Sequence, residues 1–394
     1  MAHLGHPGGP VRAFTGARGA QLAGPTGGGR ASVPLFRPRG GAPLMTSPRK
    51  RALVVACAGA VAAALAAVPA ANGAGSARAV EGLNGPRGLD IGHGRMIVAD
   101  SDGVISEIDR SDDSAHKIGK VAKGFGSAVA VAGNGDVWAL TGGGHGTLYL
   151  WSGDHKRREV LDVGAWQKRH NPDPYDLEDK AAESNPYGLD AVADGVLVAD
   201  AANNSVIHVT RKGKVTPIAR VKTRTVEMPE GFDDPELPPA GTPIPSEAVI
   251  TSVVQGKDGA IYLGELRGFP ATPGTSQVWR VEPGAHGAVC KPNKPTKGAC
   301  TRVADGLTSI VSLAIGGNGA LYAAELSKMG WLAAEMQLEG STEGAIIKIS
   351  KNRERMRELS PGKVHLPGGV AVGANGNVFT SGPVFGPGGV MKVG

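Results

Sequence analysis

A closed, all-β ring of six four-stranded antiparallel blades, a β-propeller, is what this 394-residue sequence predicts, and three observations predict it. A hairpin-like unit recurs six times: a small residue opens an apolar run, a Gly-centred turn follows, and a second apolar run ends on a polar residue in most copies. Each copy carries a small residue twelve or thirteen positions before its end. The last copy is one strand short, and a strand-like segment stands unclaimed before the first.

The copies span residues 87–100, 127–141, 187–200, 251–265, 311–325 and 368–382, roughly 40 to 65 residues apart, the spacing of a radial repeat. Gly88, Ala128, Gly188, Ser252, Ser312 and Gly369 form the small column, which six innermost strands crowding one axis would require. The turns carry Gly94, Gly135, Gly195, Gly259, Gly319 and Gly376, several of them after Asn or Asp, the pairs that tolerate tight hairpin turns.

Third and fourth strands follow most hairpins. Blade one continues with 103–109 and 115–122, blade two with 147–152 and 157–163, and blade three with 205–210 and 214–221. Blade four adds 277–282 and 300–306, and blade five 345–350 and 356–360. The last blade offers only a third strand, 389–393, so its fourth is expected from 77–83. Such a closure removes an open sheet edge and joins the two ends of the domain.

In a four-stranded antiparallel blade the loops from strand two to three, and from one blade to the next, share one rim. The long insertions 166–184, 223–248, 267–276 and 327–344 all fall in those two classes; the exception, 285–300, is a three-to-four loop expected on the opposite rim, where its cysteine pair reads as a staple. Long loops in a compact domain are usually functional or disordered, so this rim is expected to be the working face. Within 331–340, Trp331 and Leu332 indicate a short helix whose apolar side packs on the rim or meets a partner.

Ahead of the repeats, Arg49, Lys50 and Arg51 precede an apolar run, 52–68, and small residues at 70–77: the three parts of a secretory signal peptide. The run is short and Ala-rich for a membrane anchor. Residues 45–77 are therefore read as a signal peptide and 78–394 as the propeller, secreted and extracellular. Residues 1–44, rich in Gly, Pro and Arg, read as a disordered extension or a start assigned too early.

Eight of the 42 Lys and Arg, and none of the 36 Asp and Glu, lie in residues 1–77, so the remainder carries 34 basic against 36 acidic residues. The basic charge of the whole chain belongs to the leader, which removes the reason to invoke nucleic acid. After cleavage no membrane association is expected, and the domain is expected to be a monomer. Cys57 falls inside the leader; Cys290 and Cys300 remain, a pair expected to form a disulfide in an oxidising compartment.

Three stretches resemble the ScyD/ScyE family of secreted proteins: 171–189 (NPDPYDLEDKAAESNPYGL), 249–270 (VITSVVQGKDGAIYLGELRGFP) and PRGL at 86–89. The resemblance covers the exported part and implies a relative of the NHL-repeat and gluconolactonase-like six-bladed propellers. It implies no reaction, since none is established for the family. One departure stands out: a His-Asp pair expected to open the second blade is replaced by Ser127 and Ala128.

The end of the repeat is acidic in four copies, Asp100, Asp200, Glu265 and Glu325. Converging on one rim, these carboxylates could hold a divalent cation such as Ca²⁺. The competing reading is that Asp100 and Asp200 cap the following turn. Glu265, inside the GELRGFP stretch, is the first choice for function. Beside the acids, strand openings offer Arg87, Asn185, Tyr187, Thr251 and Ser252 as ligand contacts, although SNPYG is also ordinary turn chemistry. The GGGHG run at 142–146 lacks the strand-to-helix context of a phosphate loop. No helical metal-ligand spacing and no G-x-S-x-G turn occurs, which disfavours zincin and serine hydrolases. The expected function is binding of a small molecule, glycan or protein at the loop-rich face. The alternative is a metal-dependent hydrolase or lactonase with Glu265 among the ligands.

Overall fold

The computed structural model describes residues 78–121, 125–143, 146–153, 156–174, 177, 183–232 and 234–394. The expected extension and signal peptide, His145 and part of the 166–184 insertion lie outside the described residues. Six antiparallel blades are formed, with innermost strands Leu89–Gly92, Gly126–Val131, Pro186–Val192, Ile250–Gln255, Ile310–Ile315 and Gly369–Val372. The sixth blade is completed by Arg78–Asn84, which pairs antiparallel with Pro387–Val393. The expected closure between the two ends of the domain is therefore present.

The small column has a steric cause. A Cβ at Gly88 would lie 2.6 Å from the Ala128 Cα, and one at Gly188 would lie 2.5 Å from the Thr251 carbonyl oxygen. At these glycines the innermost strand runs against the backbone of the next blade, where a side chain does not fit, and Ala128, Ser252 and Ser312 keep the column small in the other blades. Five of the six turn glycines have positive φ; Gly195 does not, and is instead pressed against the Val209 carbonyl.

The core lies between blades. Ile97, Ala99 and Ile105 of blade one pack with Val129, Val137, Tyr149 and Trp151 of blade two, and Leu197, Ala199 and Val206 of blade three pack with Leu263 and Trp279 of blade four. Alternation makes this possible, because successive side chains of a strand point to opposite faces and each blade has a neighbour on both.

Three elements depart from the sequence expectation. The 223–248 insertion contains a hairpin, Arg224–Glu227 with Pro243–Ser246. A helix α1, Val163–His170, starts the 166–184 insertion, with the Asp162 side chain accepting from the Ala165 N–H and Lys168, Arg169 and His170 in its last turn. Those caps were legible in the sequence. In the loop expected to be only a disulfide staple, Ala288–Cys290 adds a fifth strand, parallel to the outer strand of blade three. The Cys290–Cys300 disulfide is formed as expected and anchors that strand to blade four. No helix among the described residues is long and apolar enough to cross a membrane.

Candidate functional site

The insertions gather on one rim and share an apolar core. Met228, Leu237 and Ile244 from the hairpin region pack with Leu266, Phe269 and Ala271 and with Trp331 and Leu332 of helix α2, Trp331–Glu335. Trp331 donates its indole N–H to the Arg267 carbonyl at 2.7 Å, so this helix packs on the rim. The first insertion joins the second through the Leu177 N–H, which donates to Glu247 Oε1 at 2.9 Å.

Beside this core the six innermost strands surround a central channel of about 270 Å³. Tyr187, Ser127 and Thr251 lie at strand openings along it, and Ser252 is also among its lining residues. The Tyr187 hydroxyl makes no hydrogen bond to a described residue, and the buried Ser252 Oγ has no partner either. Thr251 Oγ1 donates to the Ile310 carbonyl at 2.6 Å and so clamps blade four to blade five.

Two further carboxylates of the channel were missed in the sequence reading. Asp90 and Asp190 occupy equivalent positions in the GLD triplets of blades one and three, a repetition that could have marked them. Asp90 accepts from the Val131 N–H at 2.7 Å and Asp190 from the Gln255 N–H at 2.6 Å, so each ties its blade to the next. Burial pushes the Asp90 carboxyl up to about 6. Burial, aided by the charge of Asp90, holds Asp190 well above the usual carboxylate range. Among the described residues, no Lys, Arg or His lines the channel.

The acidic column has a different fate in each blade. Asp200 is fully buried and accepts from Ser184 Oγ, Asn185 N, Asn203 N and Gln167 Nε2, at 2.6 to 3.1 Å. Glu265 is fully buried against Arg267 and accepts from Trp279 Nε1 at 2.5 Å. Glu325 accepts from the Thr308 N–H at 2.8 Å, and burial lifts its carboxyl to about 7. Asp100 accepts from the Asn84 N–H at 3.2 Å, with burial raising it to about 6. Asp100, Asp200 and Glu325 thus bind the chain that leads into their own blades, Glu265 binds Arg267 and the third strand within its own blade, and none of the four lines the channel. The described residues whose ligand atoms come close enough to share one ion are Asp109, Asp112 and His116, all exposed, on the third-to-fourth loop of blade one.

The remaining candidates also take defined places. Asn185 Oδ1 accepts from the Gly143 N–H at 2.9 Å, tying blade three to the loop of blade two. Arg87 is 4% exposed at the channel mouth, with its Cα beside Gly368. Its guanidinium lies 4.9 Å from the Phe125 ring centroid and 5.5 Å from that of Phe385.

No protein-family model and no curated protein matches the chain. Solved structures do resemble it. A gluconolactonase from Xanthomonas campestris is 10% identical, with 80% of this chain and 88% of that one covered at a TM-score of 0.51. A Bacteroides thetaiotaomicron protein of unknown function is 11% identical, covering 79% and 70% at 0.49. The PQQ-bound aldose sugar dehydrogenase of Streptomyces coelicolor is 12% identical, covering 80% and 96% at 0.48. At these identities the likeness is one of fold: the chain is a six-bladed propeller whose neighbours include gluconolactonase-like ones.

Proposed function

We propose that this chain is an exported propeller of the ScyD/ScyE kind that binds a small molecule, glycan or protein over its insertion-bearing rim. One observation carries the reading: three of the insertions pack into a rim core of their own beside the mouth of a channel. Rigid walls around a concavity lined by a few polar residues, Tyr187 among them, are what a binding site requires.

The metal-dependent hydrolase or lactonase is the less favoured reading. It needs carboxylates free to hold an ion and a water, whereas Glu265 is engaged by Arg267 and Trp279, and Asp200 by four donors. Elemental analysis of the purified protein, followed by titration with gluconolactone and with neutral and acidic sugars, separates the two. The binding module predicts saturable ligand binding that weakens in Tyr187→Ala, without turnover and without a stoichiometric divalent ion. A tightly held divalent ion lost from folded Glu265→Gln, together with lactone hydrolysis, overturns the proposal in favour of the enzyme.

A further inference from the structure

Among the described residues two arginines are buried, and they are treated differently. Arg267 is paired with Glu265 and also donates to the carbonyls of Ser246 and Glu247. Arg87 has no carboxylate. Its Nε donates to Ser101 Oγ at 3.1 Å, and its Cζ lies over the rings of Phe125 and Phe385. Neither terminal nitrogen donates to a described atom, and neither is sealed from solvent.

Withdrawing a guanidinium from water without an anion is costly, and ring stacking offsets only part of that cost. The walls are themselves set in place. Phe125 lies on the backbone of Gly142, where a Cβ would come within 2.2 Å of its ring, and Phe385 belongs to the blade-six loop that Val384 N fastens to the Leu366 carbonyl. With Nε occupied, the free edge of the guanidinium is the Nη1–Nη2 fork, which matches two oxygens of one group. Asp100, the acid beside Ser101, directs Oδ2 to the Asn84 N–H and leaves Oδ1 without a hydrogen-bond partner, so no described carboxylate fills the fork.

We propose that Arg87, held against Phe125 and Phe385, is a receptor for an oxyanion group of the ligand, a carboxylate, sulfate or phosphate presenting two oxygens to the Nη1–Nη2 edge. Arg87 is thus a binding residue of the rim, and the ligand class narrows to anionic small molecules and acidic sugars. The assignment rests on the rim being the ligand face, yet it fails separately from that reading. Neutral sugars that bind while oxyanions do not would remove the role of Arg87 and leave the binding module intact.

The test is calorimetric titration of the purified protein with glucuronate, inorganic sulfate and inorganic phosphate, against glucose and chloride at matched ionic strength. One-to-one saturable binding of at least one oxyanion is expected, weakened about tenfold or more in Arg87→Gln. A preference for glucuronate identifies a planar carboxylate, and a preference for sulfate or phosphate a tetrahedral group. Should Arg87→Gln fail to fold, Arg87→Lys keeps a cation between the rings but lacks the fork, and the same weakening is expected. The proposal is overturned if no oxyanion binds the wild-type protein more tightly than chloride, or if a folded Arg87 variant binds it equally well.

Discussion

Removing the strand that closes the ring should destabilise all six blades, although it belongs to one. Arg78–Asn84 forms the outer edge of blade six and sends Val80 and Leu83, 2% and 5% exposed, into a cluster with Leu89, Met96, Ile108, Phe379 and Val390. That cluster holds residues of both blade one and blade six, so the strand joins the two ends of the ring. Burying two aliphatic side chains of this size stabilises by about 3–6 kcal/mol, and Leu83→Ala alone should cost about 2–4 kcal/mol. A whole domain has only about 5–15 kcal/mol to lose. A chain beginning after Asn84 is therefore expected to be mostly unfolded or aggregated at 37 °C. Urea unfolding followed by circular dichroism measures the effect, with Leu83→Ala lowering the midpoint at an unchanged m value. Glu81→Ala, on the same strand but exposed, should stay within about 0.5 kcal/mol of wild type. The reasoning is refuted if Leu83→Ala also falls within that margin, or if the truncated chain unfolds at the wild-type urea concentration.

Two more predictions concern buried groups. Glu325 is raised from an ordinary 4.5 to about 7, so the folded state binds its proton more tightly than the unfolded chain, and stability falls as pH rises from about 4.5 to 7. Glu325→Gln, which keeps an acceptor for the Thr308 N–H, should remove that part of the slope and stabilise the protein at pH 8 by on the order of 2–3 kcal/mol; an unchanged pH profile of the urea midpoint counts against it. The Cys290–Cys300 bridge closes a short loop ten residues apart, so Cys290→Ser with Cys300→Ser should cost about 2–3 kcal/mol and free the Ala288–Cys290 strand, read as faster amide exchange there; equal exchange would show that the strand holds without it.

Much of the architecture is written locally. The alternation in 205–210 gives the strand Ser205–Thr210, and the Gly-centred turns return each hairpin on itself. The small column and the unclaimed segment at 77–83 were enough to place the ring closure, because both describe backbone crowding and an unpaired edge. Helix α1 escaped notice because its eight residues are too short for a period to emerge, although its caps were visible.

The candidate site was less legible. Glu265 reads in sequence as an acid ending a strand and the first choice for function, but Arg267 and Trp279 take up both of its oxygens. Asp90 and Asp190 read as ordinary strand polar residues, but their partners Val131 and Gln255 stand 41 and 65 positions away. The sequence by itself determined the strands of the six blades, the turns, the number of blades and the sorting of the four rim insertions, since most of these follow from contacts near in the chain. Only the tertiary structure decided which charges are satisfied. The ring brings Phe385 against Arg87 and Ser381 to the Arg87 carbonyl, across 294 positions in the latter case, and an ionisable side chain is made structural or left free by neighbours that sequence spacing does not encode.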